Sequence, residues 1–287
     1  MILVTGATGT NGRLVVQALL RAGQPVRAMV QDLSRAADLE RLGAQVVVGD
    51  FDRPDSLDAA LAHAQRGLLL SPVHPQLVER ERRFVERAAR AGLAHLVKLS
   101  AIGAHPAASF TFGRQHGVSE RMIMDSGLPF TFIQPNFFMQ NLLWSAEPIK
   151  TRGEFYSSLG SARASHVDAT DIAAVIATVL TEPLDRHSGR MYLVTGPAAL
   201  TFADVAESFS HVLGRRIRYV NLQDDDLKAG LLASGQPEWQ VDALLELNAH
   251  VRHGHASAVT DTIRDVTGRP AGTLEDWIRA HAMAFGA

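Results

Sequence analysis

The chain has 287 residues, 46% of them hydrophobic, a formal net charge of −2 and no cysteine, which suits one large α/β domain or a nucleotide-binding domain with a smaller companion. The near-neutral, interspersed charge argues against a nucleic-acid partner, and the missing cysteine excludes disulfides and a catalytic thiol. No apolar run reaches the roughly 18 residues that span a bilayer, and no basic signal-peptide segment precedes the first apolar run, so we expect a cytoplasmic protein without a membrane partner.

The first predicted elements are an apolar strand, a glycine-rich turn and a helix. Three glycines follow the strand in the spacing Gly6-x-x-Gly9-x-x-Gly12, and apolar residues then recur at helical intervals. Such a turn lets the backbone approach a pyrophosphate, and the N–H groups at the helix start attract its charge. A purely structural turn is the alternative, but strand, turn and helix together predict a dinucleotide site. Its predicted binding residues are Gly6, Thr8, Gly9, Thr10, Asn11 and Gly12.

The end of the second predicted strand, residues 26–30, bears on which nicotinamide coenzyme fits. An acidic side chain there would accept hydrogen bonds from the ribose of NAD, whereas a basic one would pair with the phosphate of NADP. Val30 is apolar and Gln31 is neutral, so a charged contact is missing at the position that selects the coenzyme. Gln31 and Arg35 are the candidate contacts, with Arg13 as a further cation. We expect NADPH as the coenzyme and leave NADH open.

The third and fourth predicted strands end in further candidate residues. Asp50 and Phe51 follow the third strand, and a carboxylate beside an apolar ring suits the amino group and face of an adenine. An ordinary strand-ending turn is the alternative. Ser71 and Pro72 follow the continuously apolar fourth strand and are expected to line the coenzyme crevice. His74, two residues further on, is either a substrate contact or a plain loop residue.

The fifth predicted strand ends at Ser100. Like the glycine spacing, this position resembles the short-chain dehydrogenase/reductase superfamily, in which a serine there orients the substrate oxygen and a Tyr-x-x-x-Lys pair follows. Phe112 and His116 occupy the positions of that pair, so the phenol that normally donates a proton is missing. His116 either donates a proton itself or only hydrogen-bonds Glu120, one helical turn away.

Motifs along the whole chain resemble the NmrA-like atypical short-chain reductases. The resemblance implies a nicotinamide coenzyme, with Pro135 beside it and Asn136 close to the nicotinamide or the substrate. Gln134 departs from an arginine that is common before this proline, which also leaves the coenzyme preference open. The motifs are Thr5-Gly6-Ala7-Thr8-Gly9, Gly49-Asp50-Phe51-Asp52, Lys98-Leu99-Ser100-Ala101, His116-x-x-x-Glu120, Pro129 to Phe137, Val167-Asp168-Ala169-Thr170-Asp171-Ile172-Ala173, and Thr267-Gly268-Arg269-Pro270.

The predicted fold is a Rossmann-like doubly wound parallel sheet with a smaller, mainly helical C-terminal substrate region. Residues 1–150 form the coenzyme-binding domain, and residues 151–287 form the substrate-binding or lid region, with some elements returning to the main domain. Aromatic side chains that follow the fifth and sixth strands are candidate walls for a flat substrate, about half of them serving as ordinary core packing. These are Phe110, Phe112, Phe137, Phe138 and Trp144.

The missing phenol bears on the reaction. A positioned general acid contributes roughly 10²–10⁴-fold to a proton-coupled step, so a simple ketone would be reduced slowly. The resemblance implies instead hydride transfer from NAD(P)H to a conjugated aromatic acceptor, such as an azo dye, quinone, quinone-imine or triarylmethane. The resemblance also implies that no flavin is needed. No metal is expected, because His250, His253 and His255 come without a carboxylate. The alternative is a non-catalytic, NADP-sensing regulator of the NmrA type, and a homodimer is left open.

Overall fold

The computed structural model describes residues 1–286, which divide into two units. The first unit comprises residues 1–107, 114–134 and 169–193, and the second comprises residues 108–113, 135–168 and 194–286. The chain therefore passes between the units several times, whereas the sequence predicted one boundary at residue 150 with some returning elements. Within residues 1–286, no helix combines the length and the apolar character needed to cross a membrane.

The first unit is built on a seven-stranded sheet. Its order is β3-β2-β1-β4-β5-β6-β8, and the pairs from β3 to β6 are parallel. The order reverses between β1 and β4, and in open α/β sheets such a reversal opens a crevice at the carboxyl ends of the strands. The strands are β1 (Ile2–Val4), β2 (Val26–Val30), β3 (Gln45–Val48), β4 (Arg66–Leu69), β5 (His95–Leu99), β6 (Phe130–Pro135), β7 (Glu154–Ser157), β8 (Arg190–Val194) and β9 (Arg218–Asn221).

Helices cover this sheet, because β1, β2 and β5 are buried along their whole length and need apolar cover on both faces. On one side, α1 packs against α7. A core cluster that includes Leu57, Phe84, Ile123 and Phe132 fills the space between other helices and the sheet. The helices are α1 (Thr10–Arg21), α2 (Ala37–Arg41), α3 (Pro54–Leu61), α4 (Leu77–Arg90), α5 (Thr111–Asp125), α6 (Ala146–Arg152), α7 (Ala169–Thr181), α8 (Phe202–Leu213), α9 (Asp224–Ala233), α10 (Glu238–Arg252), α11 (Thr262–Thr267) and α12 (Leu274–Ala280).

The second unit has its own core around the short parallel pair β7–β9. Phe155 of β7 contacts Phe209 of α8, and Phe209 in turn packs edge-on against Phe285. Thr201 begins α8 with a capping box, in which its hydroxyl accepts from the Asp204 N–H and the Asp204 carboxylate accepts from the Thr201 N–H. This unit is thus mainly helical, as the sequence predicted for the C-terminal region.

Candidate active site

The turn between β1 and α1 requires glycine at two of its three glycine positions. Gly6 has a φ of +60°, and a Cβ there would lie 2.5 Å from the Leu70 side chain and 2.8 Å from its carbonyl oxygen. A Cβ on Gly12 would collide with the carbonyl group of Gly6. Gly9 is exposed, and its N–H donates to the Gly6 carbonyl at 3.0 Å. The turn therefore packs tightly against the end of β4 while its outer edge remains open.

The first turn of α1 is suited to an anion. Gly9 is its N-cap and offers no side-chain cap, and no acidic residue occupies the first turn. Its N–H groups consequently keep their capacity to donate to a ligand. The side-chain oxygen Oδ1 of Asn11 is buried without a hydrogen-bond partner in the described chain, so this turn also offers an acceptor. Both features fit the pyrophosphate and sugar of a dinucleotide.

The residues after β2 and β3 form a second polar group in the first unit. Gln31 Nε2 donates to Asp50 Oδ1 at 3.3 Å, which brings together the two candidate contacts for an adenosine. Arg35 ends the exposed 3₁₀ turn Leu33–Arg35, while the guanidinium of Arg13 pairs with Asp38 at 2.6 Å.

Phe51 does not offer the ring face that the sequence suggested. Its side chain is only 5% exposed and packs edge-on against Phe84, with ring centroids 5.9 Å apart. The β3–α3 turn buries this ring because it completes the apolar layer between the sheet and α4. Phe51 therefore has a core role, and only its main chain is left for a ligand.

The segment after β4 is fixed by hydrogen bonds on both of its polar side chains. Ser71 Oγ donates to Glu81 Oε1 at 2.8 Å, and His74 Nδ1 accepts from the Gln76 N–H at 3.0 Å. The His74 carbonyl accepts from Gln115 Nε2 of α5 at 3.1 Å. His74 is half-buried and Pro72 is exposed. The hydrogen bonds of Ser71 and His74 fix the conformation of this loop.

A buried ion pair lies behind Ser71. Lys98 Nζ of β5 donates to both carboxylate oxygens of Glu81 of α4, at 2.7 and 2.6 Å, and both side chains are fully buried. Burial is the largest single influence and would raise the pKa of Glu81, but the Lys98 ammonium, together with smaller contributions from His116 and Ser119, holds that pKa below its usual value. Glu81 belongs to the charged helical run Glu79-Arg80-Glu81-Arg82-Arg83, whose pattern is typical of a solvated face, so the sequence did not reveal this pair. The available signal was Lys98, a lysine inside an apolar strand.

One of the two sequence interpretations proposed a hydrogen bond between His116 and Glu120. The structure does not show this bond. Its Nδ1 is buried with no hydrogen-bond partner within the described residues. Burial, reinforced by the nearby Lys98 charge, lowers the pKa of His116 to about 3 against a smaller opposing effect of Glu81. The imidazole is therefore neutral at neutral pH.

Glu120 has a different partner. Gln134 Nε2 of β6 donates to both of its carboxylate oxygens, at 2.8 and 3.1 Å, and Glu120 is 4% exposed. Burial raises the pKa of Glu120, against opposing effects of Ser100, Gln134 and Lys98. Gln134 thus contacts a buried acid, which the sequence alone did not reveal.

Asn136 lies in the second unit, where its amide is already used. Nδ2 donates to Ser165 Oγ at 2.6 Å and to the Ala256 carbonyl at 2.7 Å, while Oδ1 accepts from the Phe137 N–H at 2.9 Å. Both amide hydrogens are consumed, so the structure gives Asn136 a structural role in place of the predicted contact with nicotinamide or substrate. The adjacent Pro135 is buried.

The five candidate aromatic residues differ in exposure. Phe110 is 1% exposed and packs against His250 with the two rings tilted by 30° and their centroids 4.3 Å apart, so it is a packing residue. Phe112, Phe137 and Phe138 are half-buried. Trp144, in the 3₁₀ helix Met139–Ser145, is 78% exposed. Four of the five thus retain surface for a ligand, more than the half that the sequence suggested.

Two of the three histidines between residues 250 and 255 stack on each other. His250 lies against His255, with ring centroids 4.5 Å apart. Across residues 1–286, no group of three or more histidine, cysteine or acidic side chains is arranged to hold a metal ion.

Comparison with known proteins places these features in context. The model of the NmrA-like family matches residues 1–266. An NAD(P)H azoreductase from Xenophilus azovorans is 41% identical over 287 residues, which are 100% of both chains. An NADPH-dependent quinone oxidoreductase from Escherichia coli, solved with NADPH, has 26% identity and a TM-score of 0.90, covering 99% of this chain and 100% of that one. The Citrobacter sp. triphenylmethane reductase, solved with NADP(H), has 26% identity and a TM-score of 0.85, covering 98% and 100%.

Proposed function

The chain belongs to the NmrA-like family, and from this premise we propose that it is an NAD(P)H-dependent reductase that transfers hydride to a conjugated aromatic acceptor. The observation that carries the proposal is the combination of a glycine-cradled helix start, suited to a dinucleotide, with Phe112 at the position of the usual tyrosine. Azo compounds and quinones are the acceptor classes that the similar proteins suggest.

NADPH is the coenzyme we propose, with NADH as a weaker alternative. The Gly6–Gly12 turn and the first turn of α1 would hold the pyrophosphate through main-chain N–H groups. Gln31, Arg35 and Asp50 would contact the adenosine end, and Ser71 and Pro72 would border the crevice. Two of the similar structures were solved with NADPH or NADP(H). The proposal includes neither a flavin nor a metal.

The proposed chemistry follows from the absence of a phenolic proton donor at the position of Phe112. The bound coenzyme would supply hydride, and the protein has to orient two flat partners, a task that proximity alone can assist by several kcal/mol. A quinone or azo group spreads the resulting charge over its conjugated system and depends less on a strong acid than a ketone does. Ser100 at the end of β5 is the proposed orienting hydroxyl.

The remaining candidate residues are proposed acceptor contacts. Phe112, Phe137, Phe138 and Trp144 retain accessible ring surface, and aromatic faces suit planar acceptors. His74 and His116 are the polar side chains proposed to border the acceptor. Because His116 is neutral, it would hydrogen-bond an acceptor rather than protonate it.

The test is a turnover assay on the purified protein. NADPH and NADH are each mixed with a panel of azo dyes, quinones and a triarylmethane dye, and the loss of reduced-coenzyme absorbance is followed. Turnover with NADPH and no flavin band in the protein's visible spectrum is the expected result. Tight NADPH binding by calorimetry without turnover on any acceptor would instead favour the NADP-sensing regulator, and no binding of either coenzyme would refute both functions.

A further inference from the structure

A cavity of about 280 Å³ lies within the second unit. It is bordered by the segments that follow β6 and β8, by the segment before α7, and by α8 and α12. None of the residues proposed above to contact the coenzyme or the acceptor lines it. Among its lining residues are Met139, His166, Ala198, Leu200, Ser208 and Leu274.

The burial of the lining residues gives the cavity a floor and a mouth. Met139 and His166 are only 1% and 3% exposed and form its floor. Pro197 and Ala198 are exposed and border its mouth. The cavity therefore leads from the protein surface to the imidazole ring of His166.

His166 brings two unused hydrogen-bonding atoms to this floor. Neither Nδ1 nor Nε2 has a hydrogen-bond partner within the described residues, although most buried polar side chains in proteins have one. Burial lowers the pKa of His166 to about 4, against a smaller opposing effect of the Ala164 carbonyl. That carbonyl already accepts from the Leu200 N–H at 2.9 Å. The ring is neutral at neutral pH and has one N–H donor and one bare acceptor nitrogen to offer a ligand.

Packing holds the His166 ring in this position. Phe202 lies 5.7 Å from it and Phe137 packs edge-on at 5.9 Å, both measured between ring centroids. The main chain is held as well, since a Cβ on Gly196 would lie 1.7 Å from the His166 carbonyl oxygen. Glycine at this position lets the segment after β8 approach His166 closely. The location of the ring is thus set by its neighbours and not by hydrogen bonds of its own.

The walls favour a neutral and largely apolar ligand. Met139, Leu200 and Leu274 present apolar side chains, and no lysine or arginine is among the lining residues. The one lining carboxylate, that of Glu275, accepts from the Arg279 guanidinium at 3.1 Å. An anionic ligand would therefore lose its hydration without gaining a counter-charge. Water molecules in such a space have few polar partners, so an apolar group displaces them readily.

The volume and the floor restrict the ligand further. An engineered cavity of roughly 150 Å³ already binds benzene, so about 280 Å³ has room for a substituted ring. Met139 at the floor suits an aromatic ring, since a thioether makes favourable contacts with one. A phenolic hydroxyl can donate to a bare imidazole nitrogen or accept from an imidazole N–H.

We propose that this cavity is a binding site for a small neutral phenol, whose hydroxyl group hydrogen-bonds His166 and whose ring packs on Met139 and Leu274. The site is separate from the proposed coenzyme and acceptor contacts and does not depend on the reductase function.

A titration followed by NMR tests the site. The whole protein, labelled with ¹⁵N in its histidine rings and supplied with NADP⁺, is titrated with 4-methylphenol and separately with toluene, which has the same ring and methyl group without the hydroxyl. The His166 ring signals should shift with 4-methylphenol with a Kd of about 1 mM or tighter. Toluene should bind at least about threefold more weakly, because it leaves His166 unpaired. Unmoved His166 signals at about ten times that concentration, or equal affinity for both compounds, would overturn the proposal.

His166→Phe isolates the contribution of the imidazole nitrogens. The variant keeps an aromatic ring between Phe137 and Phe202, and it identifies the His166 signals by their loss. Its affinities for 4-methylphenol and toluene, measured by calorimetry, should lie within about twofold of each other. The control is His211→Phe, an exposed histidine of α8 that does not line the cavity, and it should keep the wild-type preference. A preference that persists in His166→Phe would refute the role of His166.

Ser208→Leu tests the location of the site without changing the histidine. Ser208 is half-buried and lines the cavity from α8, so a leucine there occupies part of the space and should weaken 4-methylphenol binding at least about tenfold. Glu207→Leu is the matched control, because Glu207 is the exposed neighbour on the same helix and does not line the cavity. It should bind 4-methylphenol like the wild type. Full binding in Ser208→Leu, or an equal loss in both variants, would place the phenol elsewhere and overturn the proposal.

Discussion

The side-chain amide of Gln134 donates to both carboxylate oxygens of Glu120, at 2.8 and 3.1 Å. An amide satisfies the hydrogen bonds of a carboxylate without compensating its charge, and burial outweighs the opposing effects of Ser100, Gln134 and Lys98, so the pKa of Glu120 is raised. The stability of the protein should therefore depend on pH through this residue, independently of any reaction.

We expect Glu120→Gln to stabilise the protein at neutral and alkaline pH. The folded-state pKa of Glu120 is raised, so its protonated form stabilises the fold fully below the unfolded-state pKa, and this stability is lost as the pH rises through the folded-state pKa. The variant carries a permanently neutral side chain and avoids that loss. Urea unfolding of both proteins across the pH range should show a difference that vanishes in acid. A difference that stays constant with pH would contradict the raised pKa.

The stability that comes from the Lys98–Glu81 pair should depend on pH in the direction opposite to that of Glu120. Its members are buried and bonded at 2.6 and 2.7 Å, so Lys98→Met leaves an uncompensated buried carboxylate and should cost about 3–5 kcal/mol of unfolding free energy. The double variant Lys98→Met/Glu81→Leu should recover much of this loss. Because the pKa of Glu81 is lowered, the stability from this group is present above its unfolded-state pKa and is lost as the pH falls. Denaturant titration of the two variants, at neutral and acid pH, measures both effects.

Asn136→Ala tests whether this asparagine is structural. The substitution removes both donors to Ser165 and Ala256 and leaves buried acceptors unsatisfied, at a cost of about 1–3 kcal/mol. The dissociation constant for NADPH should stay within about twofold, since the amide has no hydrogen left for a ligand. Thermal unfolding and calorimetry measure the two quantities. Weaker NADPH binding by a variant of unchanged stability would instead support the predicted contact between Asn136 and the ligand.

The strands of the first unit could be predicted from the sequence because buried parallel strands are continuous apolar runs. The predicted bounds of β2, residues 26–30, are those of the structure. The β7–β9 pair was missed, since each strand has only four residues and its partner is distant in the chain, with Glu154 opposite Arg218. Nothing local in either segment distinguishes it from a loop.

The residues of the candidate site could be predicted only where they lie on one continuous segment of the chain. The glycine turn is such a case, because its three glycines and the following helix are contiguous. The buried polar cluster is not, since Glu81, Lys98, Glu120 and Gln134 come from α4, β5, α5 and β6. The sequence places Glu81 in a charged run whose neighbours are on the surface, and only the packing of α4 turns this one carboxylate inward.

Gly12→Ala should weaken coenzyme binding through a backbone collision. The added Cβ meets the carbonyl group of Gly6, and main chain cannot move aside as a flexible side chain can. We expect NADPH affinity to fall at least about tenfold, equivalent to about 1.4 kcal/mol, with a lower Tm. Gly230→Ala in α9 is the matched control, because its Cβ would meet nothing within 4 Å and alanine favours a helix. If both variants bind NADPH like the wild type, the turn does not hold the coenzyme.

Gln31→Arg should strengthen the preference for NADPH over NADH. Gln31 stands where a basic residue would meet the 2′-phosphate, and at present its amide is bonded to Asp50 at 3.3 Å. A guanidinium there adds a charge-assisted bond of about 1.5–3 kcal/mol to NADPH alone, which corresponds to roughly a ten- to hundredfold gain in the ratio of the two dissociation constants. Gln31→Ala is the control, since it removes the Asp50 bond without adding charge and should affect both coenzymes equally. Calorimetry with each coenzyme gives the ratio, and an unchanged ratio in Gln31→Arg would place the adenosine phosphate elsewhere, with Arg13 and Arg35 as the next residues to substitute.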